Sequence, residues 1–198
     1  LPWIDSAATV FDVISAYGFL ALAHAHRGDL RRARERADKA LGMIARKTPL
    51  AYYTQSPIAA VAEVYLLLYQ QTPASEIEAR RELAGLVEKA VKSVRAFGEI
   101  FPLGRPSSLL WKGNLREIHG DLRGARAAWT RASAEAERLR RPYEEAQAEL
   151  ALGRCAPTAE GQRRAHLLRA LALFQRMEAS ADLRIAQAEL DRPSGPAL

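Results

Sequence analysis

Two four-residue segments, Arg27-Gly28-Asp29-Leu30 and His119-Gly120-Asp121-Leu122, are near-copies lying 92 residues apart, and each interrupts a run of helical periodicity. A glycine supplies the tight turn that such an interruption needs. A chain punctuated this way folds back as antiparallel helix pairs. Around the turns, apolar residues recur at i, i+3, i+4 and i+7. In 30–46 these are Leu30, Ala33, Ala37, Ala40, Leu41 and Ile44, with Arg31, Arg34, Glu35 and Asp38 opposite. In 122–139 they are Leu122, Ala125, Trp129, Ala132, Ala136 and Leu139.

Strand signals are almost absent: no segment alternates apolar and polar residues, and no Asn-Gly or Asp-Gly hairpin occurs. The expected helices are 7–27, 30–46, 56–70, 76–97, 107–119, 122–139, 143–153, 160–177 and 181–191. Thr48-Pro49 ends the second, because proline disfavours helical geometry in the residue before it. Ser56-Pro57 is expected to open the third, with serine as N-cap and proline at the first helical position. The loop 101–106 is the clearest break. The residues 193–198 read as a frayed tail.

The second helices of the pairs place Ala40, Ala90, Ala132 and Ala170 in register, each followed by large apolar side chains. Small residues there let neighbouring helices approach closely. Pairs are expected at 7–46, 56–97, 107–139 and 143–177, with 181–191 as a cap, in a single domain over 1–192.

The first pair carries Tyr17, Leu20, Ala21 and His24, then Gly28, Ala33, Ala37 and Ala40. The third carries Leu109, Gly113 and Gly120, then Ala125, Trp129 and Ala132. With these residues the chain resembles tetratricopeptide-type repeats over about 7–178. The resemblance implies an all-α, right-handed α-solenoid of about four antiparallel pairs plus a capping helix. The repeats exceed the usual length of about 34 residues, and the second and fourth pairs lack the turn glycine. A narrower resemblance covers about 98–190: FPLGRPSSLLW at 101–111, GDLRGARAAW at 120–129, RPYEEA at 141–146, LGR at 152–154 and RAHLLRALALF at 164–174. It is similar to the tail of large bacterial signalling ATPases, where a helical-repeat region restrains a nucleotide-binding switch module joined to a cyclase, kinase or DNA-binding domain. What this implies is a regulatory role.

The composition fits a soluble, ordered protein. Of 198 residues, 48% are hydrophobic and 26% charged. The most apolar stretch, Ile58 to Leu68, is interrupted by Glu63, so no membrane span is expected. The first residue is Leu1, with no basic leader pattern, and the expectation is a cytoplasmic piece of a larger protein without a signal peptide. The net charge is +6, and 24 of the 29 basic residues are Arg. Few aromatic residues interleave with the Arg clusters, so a single-strand stacking platform is not expected, and a nucleic-acid-binding helical repeat stands as the second alternative.

No phosphate-binding loop, nucleophile elbow or zinc-protease motif occurs, so no catalytic residue, metal site or cofactor is expected. His24 and His26 are two apart and cannot share a helix face. His166 has no acidic or cysteine partner in the sequence around it, and Cys155 has no base beside it. Glu144 and Glu145 sit at a helix start, where they complement the helix dipole.

The expected activity is therefore binding, not catalysis. In the tetratricopeptide register, His26, Ser107, Leu110, Asn114 and Glu117 line a concave groove that would hold a peptide, a helix or a neighbouring domain. Trp111 lies beside them, where core packing is set ahead of groove lining as its role. Asn114 and Glu117 are expected to serve binding more than folding. A small-molecule effector pocket between helix pairs is the alternative reading.

Overall fold

The computed structural model describes residues 9–44, 54–155 and 160–192. The fold is all-α. Among the described residues there are nine α-helices, one 3-10 turn and no strand. The chain divides into two compact units, Leu1–Gly104 and Arg105–Leu198. The boundary falls in the 101–106 loop.

The first unit holds α1 (Val10–His26), α2 (Leu30–Ile44), α3 (Gln55–Gln71), α4 (Ile77–Ile100) and the 3-10 turn Pro102–Gly104. Thr9 and Asp12 form a capping box at the start of α1. Helix α1 packs on α2 and α3, and α3 packs on α2 and α4. Tyr17, Ala21, Ala33, Ala37 and Ala40 are buried. A Cβ on Gly18 would stand 2.6 Å from the Pro57 carbonyl oxygen, so glycine sets the approach of α1 to α3. Between α2 and α3, the Tyr65 hydroxyl donates to Asp38 at 2.7 Å. Burial, with Asp38 beside it, pushes the Tyr65 phenol well above its usual range.

The second unit holds α5 (Arg105–Ile118), α6 (Leu122–Arg138), α7 (Pro142–Arg154), α8 (Glu160–Arg176) and α9 (Ser180–Asp191). Each helix packs on the next in sequence; α5 also touches α7, and α7 touches α9. One cluster joins Leu110, Ala125, Trp129, Ala132, Ala148, Leu152 and Cys155. A second joins Ala146, Leu150, Leu167, Ala170, Leu173, Phe174 and Ala186.

One backbone turn recurs four times. After α1, α5, α6 and α8 the chain places one residue at positive φ: Gly28 and Gly120 at 78°, Arg140 at 53° and Glu178 at 56°. Its N–H donates to the carbonyl three residues back. The next N–H donates five residues back, from Asp29 to His24, Asp121 to Arg116, Arg141 to Ala136 and Ala179 to Phe174. This double closure, a Schellman motif, satisfies carbonyls that a helix end leaves without partners. The following helix starts at once. The Asp121 side chain accepts from Gly124 N–H at 2.9 Å, and Asp29 accepts from Arg32 N–H at 3.2 Å. Gly-Asp is thus a stop and a start in two residues. Arg141 and Ala179 stand at the aspartate's place without a side-chain cap, and Pro142 opens α7 instead.

Several expected boundaries shift. Ser56 is not the N-cap of α3: the helix begins at Gln55, and Thr54 before it makes no side-chain cap bond. Helix α5 starts at Arg105, two residues early, because the 3-10 turn leads straight into it. Thr48-Pro49 and the tail 193–198 lie outside the described residues.

Removing the positive-φ strain should be measurable. Arg140→Gly relieves about 1–2 kcal/mol of left-handed strain against about 0.4–1 kcal/mol of added freedom in the unfolded chain. Urea unfolding should show a net gain of about 0.5–1 kcal/mol. Gly120→Ala, at the same turn position, should cost about 1 kcal/mol or more.

Candidate functional site

Helix α5 was expected to present four side chains to an open groove. The structure turns that side of the helix toward α7. Leu110 is buried in the cluster that includes Ala148, Leu152 and Cys155. Ser107 and Trp111 are buried too, at 3% and 5% exposure, which agrees with the core role set first for Trp111. Glu117 is half-buried. Burial pushes its carboxyl above the usual range, and the nearby Arg154 charge partly opposes this. In the first unit, His26 is exposed, with its Nε2 3.7 Å from Glu63 Oε1. His26 and Glu117 therefore keep surface for a partner, and Ser107, Leu110 and Trp111 keep almost none.

Asn114 has a definite structural task. Its Oδ1 accepts a 2.8 Å hydrogen bond from Trp129 Nε1. Trp129 is 1% exposed and lies against Gly113, where an added Cβ would fall 2.3 Å from the indole nitrogen. A buried indole N–H needs an acceptor, and the half-buried Asn114 supplies it. Asn114 therefore has a part in folding beside the binding role expected of it. The same small-on-large contact recurs one pair later, where a Cβ on Gly153 would stand 2.5 Å from Leu167 Cδ2.

The densest chemistry of the second unit lies elsewhere, on α7. Glu149 is 4% exposed. Its Oε1 accepts from the Ser133 hydroxyl of α6 at 2.5 Å, and its Oε2 lies 2.7 Å from His166 Nδ1 of α8. His166 thus has an acidic partner, one that sequence proximity does not reveal because it lies 17 residues away on another helix. One turn earlier, buried Glu145 accepts from Arg169 of α8 at 2.7 and 3.1 Å, and Arg169 also pairs with Glu137 of α6 at 3.3 Å. The Glu145 hydrogen bond holds the Arg169 guanidinium above its ordinary pKa. Arg141 pairs with Glu144 through two nitrogens. Glu145 thus does more than face a helix dipole: it ties α7 to α8, while Glu144 holds the residue that precedes α7.

The arrangement joins a hydroxyl, a carboxylate and an imidazole, but in the order Ser133, Glu149, His166. Nucleophilic triads place the imidazole in the middle, where it takes the hydroxyl proton. Here the carboxylate occupies the middle and spends both oxygens on its neighbours. Every buried side-chain nitrogen and oxygen among the described residues has a partner. Among those residues no group of three or more His, Cys, Asp or Glu side chains could hold a metal ion. No helix among them is long and apolar enough to cross a membrane. Burial raises the Cys155 thiol above its usual pKa, which works against a reactive thiolate.

Comparison with protein-family models, with curated proteins and with solved structures finds no match.

The Trp129 contact makes a paired prediction. Trp129→Ala should destabilise the protein by about 3–5 kcal/mol through the cavity it leaves. Asn114→Ala should cost about 1–3 kcal/mol through the orphaned indole N–H. Combining Asn114→Ala with Trp129→Phe, which has no N–H, should cost less than the sum of the two. Chemical denaturation of the four proteins closes this cycle.

Proposed function

We propose that the chain is a non-catalytic interaction module of tetratricopeptide type, serving a larger bacterial signalling protein in the cytoplasm. In this reading it holds a peptide, a helix or a neighbouring domain against the first helices of its pairs, and so regulates a switch module elsewhere in that protein.

The recurring turn after α1, α5, α6 and α8 is the observation that carries this reading. A chain that reuses one helix-to-helix junction stacks similar units, and stacked units expose an extended face suited to protein binding. The packing of each helix of the second unit on the next, with α5 on α7 and α7 on α9, supports the same view. The non-catalytic part rests on Glu149, whose middle position leaves Ser133 without an imidazole base.

The test is titration of the chain with the other domains of its parent protein. Wild type should bind, and His26→Ala with Glu117→Gln should weaken binding by about tenfold, a loss of about 1.4 kcal/mol, with an unchanged far-ultraviolet circular dichroism spectrum. Equal binding by both proteins would remove these two residues from the site. Absence of any binding, with salt-sensitive association to DNA instead, would overturn the proposal.

A further inference from the structure

We propose that α9 is an exchangeable latch: its seat on α7 and α8 accepts α9 from a second copy of this chain, so that two copies join by trading helices. The exchange rests on the contacts of α9 with α7 and α8 and not on the proposed function.

The apolar contact of α9 is small, and polar contacts supplement it. Its buried residues are Ala186 and Glu189; Leu183 and Leu190 are only partly buried against the Leu167–Phe174 cluster. Ile185 is 41% exposed, whereas Glu189 is buried against the seat. Arg154 of α7 donates to Glu189 Oε1 at 3.0 Å, Arg192 lies 3.2 Å from Oε2, and Arg163 of α8 donates to the Glu189 carbonyl. Two turns earlier, Gln147 of α7 donates to Asp182 at 2.9 Å. Arg154 and Arg192 are exposed, so water and salt compete for their side of these pairs.

The hinge is short and strained. Three residues, Met177, Glu178 and Ala179, separate α8 from α9. Glu178 holds φ at 56°, a region in which only glycine, asparagine and aspartate sit with ease. Extending the hinge releases that strain, and the same contacts can then form with another copy. A short strained hinge beside an element with a complementary seat favours swapping.

The occupant follows from the spacing of its carboxylates. The seat offers Gln147 and Arg154, seven residues apart, to carboxylates two helical turns apart. Among the described helices only α9 carries carboxylates at that spacing, Asp182 and Glu189.

Cross-linking the full chain tests the exchange. Cys155→Ser removes the native thiol, and Gln147→Cys with Asp182→Cys places one thiol on the seat and one on the latch. A short bis-maleimide then joins seat and latch of one chain if α9 is closed, and of two chains if it is exchanged. We expect a covalent dimer that grows with protein concentration before labelling. Adding Glu178→Pro should lower the concentration for half-dimer by about tenfold or more, because proline cannot take the closed turn's φ. Adding Glu178→Gly should raise it. Links confined to single chains at every concentration, in the parent and the Glu178→Pro protein alike, would overturn the proposal. So would a Glu178→Pro protein that stays monomeric while its circular dichroism loses one helix. A dimer yield indifferent to both hinge substitutions would overturn the role given to the hinge.

Discussion

The helix-to-helix turn with one residue at positive φ is the constraint on which the rest depends. A helix end leaves carbonyls unsatisfied, and the next helix start leaves N–H groups unsatisfied. At Gly120-Asp121 two residues settle both. The glycine lets two N–H groups fold back on α5, and the aspartate side chain takes the Gly124 N–H in the first turn of α6. With both ends satisfied, the chain reverses without a loop, so α6 must lie along α5. The contact of Trp129 with Gly113 and Asn114 follows from that reversal, since it needs the two helices antiparallel and close.

Around α7 a second kind of interaction is added. Helix α7 carries three buried glutamates, a costly choice unless each is paired. Each is paired: Glu144 with Arg141, Glu145 with Arg169, and Glu149 with Ser133 and His166. Alanine-rich packing gives contacts that slide easily. A carboxylate that must meet one hydroxyl on α6 and one imidazole on α8 fixes a single register. The cost of an unmet partner, about 1–3 kcal/mol or more for a charged group, makes the alternatives unfavourable.

Much of this architecture is legible in the sequence. Gly28 and Gly120 announce their turns because glycine is the usual answer to positive φ. Arg140 and Glu178 take the same conformation unannounced, since nothing in an arginine or a glutamate marks it. The small-on-large contact is readable at Gly113 and Trp129. It is hidden at Gly153 and Leu167, where the spacing is 14 residues instead of 16. The candidate site was less legible. Periodicity places Ser107, Leu110, Asn114 and Glu117 on one side of α5 but is silent on what covers that side, and α7 does. Likewise the Glu149–His166 pair joins helices whose relative register no local pattern records. A usable clue was present: Glu145 and Glu149, four apart, share a side of α7 with Ala148 and Leu152. Carboxylates beside an apolar stripe ask for buried partners.

If the shared turn organises the fold, its backbone hydrogen bonds must persist in solution at all four places, glycine or not. Amide hydrogen exchange followed by NMR reads them one by one, at Asp29, Asp121, Arg141 and Ala179. These are the N–H groups that reach back five residues across each turn. All four should exchange much more slowly than in an unstructured chain, with Arg141 protected as Asp121 is. Exchange at unstructured rates for Arg141 and Ala179, with Asp29 and Asp121 protected, would contradict a turn shared by these four junctions.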